Sequence, residues 1–230
     1  MLCWALTLLA LHVACAATDN FKWNEYGWSE IGVSAIPEFN ATLSSSSQGS
    51  PFSEALSLKM NPGFAVHGGL GQRFLPWLSA EMEGGFYYND VDEAHSASGT
   101  RSFNGSLMQV PILLNVIVHL PEKHPVVPFA GAGFGARINW LDLDDSVSLG
   151  DAGVVELEDS STETSLAYQA FAGLRFNVRP DAAFFLIYRF NGAISPDWSL
   201  KEAGTDDTVA TLKARDMCVH TLGLGFCLRW

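Results

Sequence analysis

Positive charge is scarce in this chain of 230 residues. Lysine and arginine total 13 against 25 aspartates and glutamates, a formal net charge of −12. That balance excludes nucleic-acid partners, whose binding surfaces replace phosphate counterions with basic side chains. Long apolar runs are scarce too. Although 48% of the residues are apolar and only 17% charged, there is a single largely apolar block, Leu2 to Ala17. It is too short to cross a bilayer comfortably as a helix. It closes on Ala14-Cys15-Ala16-Ala17, small residues of the kind that precede signal cleavage. Residues 1–17 are therefore expected to be an export signal and residues 18–230 the mature protein. The usual basic n-region is missing, since no Lys or Arg precedes Lys22. Cys15 admits a lipoprotein reading, against which His12 stands where a lipobox wants leucine.

Cysteine is rare as well. Of four, Cys3 and Cys15 fall within the expected signal. Cys218 and Cys227 are nine residues apart, which in extended chain spans roughly 30 Å, far beyond the ~7 Å limit for the Cα atoms of a disulfide. An odd spacing also sets them on opposite faces of a strand, so no disulfide between them is expected.

What the chain does have is period-2 alternation, beginning at Tyr26 and interrupted by two kinds of connection. Three are tight and contain proline: Leu75-Pro76-Trp77, Pro121 to Pro125, and Arg179-Pro180-Asp181. Four are long and polar: Pro37 to Ser57, Asp90 to Gly105, Asp142 to Glu163, and Gly192 to Lys213. Long and short alternate strictly, so seven connections join eight strands with all short turns at one end. Ser44 to Ser47 reads as plain loop. The pattern predicts an all-β fold, an eight-stranded antiparallel up-and-down transmembrane β-barrel.

The strand faces point the same way. Ala130, Ala132, Phe134, Ala136, Ile138 and Trp140 alternate with Gly131, Gly133, Gly135, Arg137 and Asn139. Leu166, Tyr168, Ala170, Ala172, Leu174, Phe176 and Val178 alternate with Gln169, Gly173, Arg175 and Asn177. Val110, Ile112, Leu114, Val116, Val118 and Leu120 alternate with Gln109, Asn115 and His119. A soluble, lipocalin-like barrel would turn its apolar face inward. Here a face of glycine and charge suits a narrow lumen, and the uniformly apolar face suits lipid. Aromatics gather at both ends of that face, as at headgroup boundaries. Phe64, Phe86, Tyr88, Trp140, Tyr168 and Phe190 lie toward the loops; Phe74, Phe176, Phe184 and Trp230 lie toward the turns. Pro111 interrupts the fourth strand, where a bulge is expected.

The stretches Gly63 to Phe74, Pro128 to Gly135 and Ala167 to Phe176 resemble the strands of OmpA-type outer-membrane barrels, to which OmpX and OmpW are related in architecture. The resemblance covers nearly the whole mature chain. It implies residence in the outer membrane among its lipids. It also implies that Leu222, Leu224, Phe226, Leu228 and Trp230 form the C-terminal signal read by the barrel-assembly machinery. Cell-wall anchoring, the task of that family's separate peptidoglycan-binding domain, is not expected of these residues.

The candidate functional residues are inward charges: Arg73, Glu81, Glu83, Arg137, Arg175 and Arg189. Unpaired charge in a confined lumen is costly, so opposite signs should meet, and the resemblance implies a Glu–Arg plug of this sort. Glu81 and Glu83 could alternatively form an acid/base pair, but no nucleophile or histidine stands near them in sequence. His67 and His119 face inward without a neighbouring serine motif, so no catalytic residue is assigned. Asp142 to Glu163 carries eight carboxylates and no Lys or Arg. Its Asp142, Asp144 and Asp145 lack the glycine and spacing of an EF-hand, and a solvated acidic loop available to an extracellular ligand is expected. No metal or cofactor is expected. The expected function is structural or surface-interacting, with a largely occluded polar lumen. A small pore or conduit for small molecules is the alternative.

Overall fold

The computed structural model describes residues 24–45, 52–96, 99–102, 105–121, 124–148, 154–194, 197–201, 208–215 and 217–230. The expected signal, with Cys3 and Cys15, lies outside them. The described residues form thirteen strands: β1 (Asn24–Ala35), β2 (Phe39–Ser45), β3 (Phe52–Met60), β4 (Gly63–Leu75), β5 (Leu78–Ser96), β6 (Gly99–Ser102), β7 (Gly105–His119), β8 (Val126–Ser148), β9 (Val154–Asn177), β10 (Ala182–Ala193), β11 (Asp197–Lys201), β12 (Thr208–Ala214) and β13 (Cys218–Arg229).

Eight of these close a ring. β1 pairs with β4, and the ladder passes through β5, β7, β8, β9 and β10 to β13. β13 then pairs with β1 from Tyr26↔Arg229 to Ala35↔His220. Every pairing is antiparallel, and closure leaves the ring without an open edge. The tight turns fall at the expected prolines, with β4 passing to β5 through Pro76-Trp77 and β9 to β10 around Pro180. The chain end lies on this side too: the Arg229 N–H donates to the Asp181 carbonyl at 2.9 Å and the Trp230 N–H to that of Glu25 at 3.2 Å.

The four long connections are not the plain polar loops that their composition suggests. Strands β2 and β3 come from the first, β6 from the second, and β11 and β12 from the fourth. They pair in the order β11-β12-β2-β3-β5-β6, with the outer half of β5 as a shared member. The third continues β8 and β9 past the wall as far as Ser148↔Val154. Ser44 and Ser45, expected in a loop, are strand residues opposite Ser53 and Phe52. The reason is alternation hidden by serine and threonine. Phe39, Ala41, Leu43, Leu58, Met60, Trp198, Leu212 and Ala214 are all buried in one apolar cluster with Tyr87 and Leu107 of the ring. Strand pairing then satisfies the backbone groups that this burial removes from water. Ion pairs tie neighbouring strands at the rim: Lys59 to Asp92 at 2.9 Å and Lys213 to Asp197 at 2.8 Å.

The bulge expected at Pro111 is absent. The β5–β7 ladder omits the pairs between Gly84↔Ile112 and Tyr87↔Gln109 and resumes in the same register. The β7–β8 ladder runs straight through Pro111↔Arg137. Gly85 leaves room beside Pro111: a Cβ there would stand 2.6 Å from His67 Nδ1 and 3.1 Å from the proline ring.

The faces follow the alternation. Phe134, Leu166 and Leu224 are 70%, 66% and 65% exposed, so the apolar face points outward and a lipocalin-like interior is ruled out. Tyr168 packs near Phe190, and Phe64 near Phe86 and Tyr88, toward the loop end. Phe184 and Phe226 meet toward the turns. Cys227 is buried in the lumen and Cys218 stands on the opposite face of β13.

The interior is not simply glycine and charge. Trp28, Ile117, Phe129, Phe171, Phe185, Ile187 and Cys227 form a second buried cluster inside the ring. Inward glycines make room for its rings: a Cβ on Gly225 would stand 2.0 Å from Phe185 Cζ, and one on Gly131 2.4 Å from Phe171 Cζ. Phe129 meets Phe171 and Phe185 edge-on, the favourable aromatic geometry. A glycine on one strand thus marks an aromatic leaning over it from the next.

Candidate functional site in the barrel lumen

Between the two apolar clusters lies a layer of polar side chains, each delivered by the inward parity of a different strand. Its centre is Arg189 of β10. Arg189 Nε and Nη2 donate to Glu30 Oε2 at 2.9 and 2.8 Å. Its Nη1 donates to both oxygens of Glu83, at 3.1 and 2.9 Å. The guanidinium lies 5.0 Å from the ring centres of both Trp28 and Phe171, close enough for cation–π attraction. Glu83 also accepts from Asn115 Nδ2 and Gln169 Nε2, each at 2.7 Å, and His67 Nδ1 lies 2.9 Å from it. Arg189, Glu83 and Glu30 are only 2%, 1% and 3% exposed. Removing such charges from water is offset only by good geometry with the lone pairs filled, and the surrounding amides do that filling for Glu83.

The six sequence-predicted charges share the lumen but do not form one knot. Glu83 and Arg189 pair directly. Glu81 accepts instead from the Tyr26 hydroxyl at 2.7 Å. Arg175 lies over the rings of Tyr26 and Phe129, at 5.8 and 5.5 Å. Arg137 donates to Asn191 Oδ1 at 2.9 Å and has no carboxylate partner among the described residues. Arg73 stands near the turns, its backbone opposite Asn24 and Ser79.

Sequence reasoning missed Glu30, which supplies half of the Arg189 clamp. The signal was present in Tyr26, Trp28, Glu30, Gly32 and Ser34, alternate positions of β1. It is weak because the opposite face includes Gly27 and Ser29 rather than uniform apolar residues. His67, Asn115 and Gln169 were legible as inward but not as partners of Glu83. The fold also unites Ser79 and His119, 40 residues apart, with Oγ 3.1 Å from Nε2. His119 Nδ1 lies 3.1 Å from the Leu120 carbonyl.

At the C-terminus Leu222, Leu224, Leu228 and Trp230 are exposed on the lipid face, while Phe226 packs against Phe184. Trp230 Nε1 donates to Glu25 Oε2 at 3.2 Å. Of the acidic segment, the side chains of residues 143–160 lie outside the described residues.

The model of the outer membrane protein beta-barrel domain matches residues 3–226. The chain belongs to the outer-membrane β-barrel family. Its place is therefore the outer membrane, crossed by the eight ring strands. The structure is similar to that of outer membrane protein OprG from Pseudomonas aeruginosa, with a TM-score of 0.60 at 11% identity, covering 90% of this barrel and 97% of that chain. It is also similar to Neisserial surface protein A (TM-score 0.53, 17% identity, 90% and 97% covered). The outer membrane protease OmpT from Escherichia coli is a further neighbour (TM-score 0.51, 8% identity, 93% and 100% covered). At such identities the likeness concerns the fold alone. No curated protein matches the chain.

Proposed function

We propose that this barrel is a structural or surface-interacting protein of the outer membrane whose lumen is closed to solutes. The observation that carries this reading is the packing of the lumen. The cavity beside the charged layer, lined by Tyr26, Trp28, Glu81, Phe129, Phe171, Arg175, Arg189 and their neighbours, measures about 20 Å³. That is room for about one water molecule, whereas solute channels belong to much wider rings. Below the Arg189 clamp lie aromatics packed edge to face, and beyond it the cluster capped by β2, β3, β11 and β12. Ligand recognition then falls to the acidic hairpin of β8 and β9, outside the membrane. The barrel-assembly machinery is its proposed partner in biogenesis, through the terminal strand. We read it as non-enzymatic: the Ser79–His119 pair is 2% and 5% exposed, leaving a substrate no approach to the hydroxyl.

The test is conductance in planar bilayers. The intact protein should show no steady current, and replacing both Glu30 and Glu83 by alanine should admit water and raise conductance. If wild-type protein conducts steadily and the double variant is indistinguishable from it, the pore or conduit reading replaces this one.

A further inference from the structure

Arg137 is a buried cation without a carboxylate partner among the described residues. Its side chain is fully enclosed, 0% exposed, and makes one hydrogen bond, Nη1 to Asn191 Oδ1 at 2.9 Å. Its Nε and Nη2 are buried with no hydrogen-bond partner, as is Asn191 Nδ2 beside it. The Tyr87 hydroxyl of the lumen is likewise buried and unpartnered.

The lumen carboxylates are committed elsewhere. Glu30 and Glu83 hold Arg189, and Glu81 accepts from Tyr26. The neighbouring acceptor, Gln109 Oε1, is not hydrogen-bonded to the guanidinium. Surplus donors around a buried positive charge call for an acceptor that carries negative charge. Water would satisfy the N–H groups but leave the charge uncompensated, and an isolated buried ion costs several kcal/mol.

We propose that the unpartnered edge of Arg137 forms a binding site for a small inorganic anion of the halide class. The ion accepts from Arg137 Nε–H and Nη2–H, the two donors on the guanidinium edge turned away from the Asn191 contact. It acts as a structural counterion that completes the outer part of the lumen.

The experiment uses full-length mature protein refolded in neutral detergent with sodium isethionate as the only salt. Sodium chloride then replaces isethionate at constant ionic strength. The melting temperature should rise with chloride and saturate, as for a ligand bound by the folded state alone. In crystals grown with bromide, an anomalous peak should lie against the Nε/Nη2 edge of Arg137. Asn191→Asp places a carboxylate where the guanidinium already donates. That variant should lose the halide response and, without halide, be at least as heat-resistant as saturated wild type. Arg137→Met should also lose the response, and it serves as the second variant if Asn191→Asp does not fold. Equal wild-type melting in both salts, or no bromide peak, overturns the proposal in favour of bridging water alone. A chloride response that survives Asn191→Asp unchanged overturns it equally, because the ion then acts elsewhere.

Discussion

Replacing Arg189 by methionine should leave two carboxylates buried within the membrane-spanning part of the barrel. Arg189 serves Glu30 and Glu83 through four N–H···O contacts and lies over two aromatic rings. Methionine keeps much of the apolar volume and a favourable contact with the rings, so the loss is chiefly electrostatic. Removing one partner of a buried pair costs about 3–5 kcal/mol, because the other charge is left without compensation. Glu83 retains its bonds from Asn115 and Gln169, whereas Glu30 retains none of those described, and its Oε1 is already unpartnered. Glu30→Gln should therefore be destabilising in wild-type protein yet close to neutral, or stabilising, once Arg189 is gone. A double-mutant cycle should give a coupling of about 1–3 kcal/mol, the size found for residues sharing one network. The assay is urea unfolding in lipid vesicles, followed by tryptophan fluorescence, to which Trp28 beside the clamp contributes. An Arg189→Met cost below about 1 kcal/mol, or additive single substitutions, would refute the idea that this clamp organises the lumen.

Other perturbations probe the wall and the packing. Trp230→Ala, or a charged tag after Trp230, should lower the amount of heat-modifiable barrel in outer-membrane fractions far more than it lowers the stability of refolded protein; normal levels would mean the terminal aromatic is not read during assembly. Leu224→Arg, at the middle of the lipid face, should cost about 2–4 kcal/mol in vesicle unfolding, and Leu228→Arg, near the turns, only about 0–1 kcal/mol. Equal costs would show that the face or the depth is misplaced. Gly225→Ala should destabilise by about 1–3 kcal/mol through overpacking against Phe185, and Phe185→Leu should recover part of that loss. A cost unchanged by Phe185→Leu would place the clash on the backbone instead.

How much of this barrel could be read without its structure depends on the range over which each feature is encoded. Strand number, turn positions and the lipid face are local: proline ends a ladder where it stands, and successive side chains point to opposite faces whatever the partner strand. Leu166 to Val178 therefore reads correctly in isolation. The same locality places Glu83, Arg137, Arg175 and Arg189 in the lumen. Which of them touch is a different question, because contacts across the lumen depend on the stagger and tilt of the closed ring and on the reach of each side chain. Arg189 meets Glu30 from 159 positions away, while Arg137 finds only Asn191. The outer sheet was hidden for a related reason. Phe39, Ala41 and Leu43 signal an apolar face only once Leu212 and Ala214, far along the chain, are known to pair beside Leu43 and Ala41 and extend it. Residue alternation determined the wall; ring closure and side-chain packing decided what fills it.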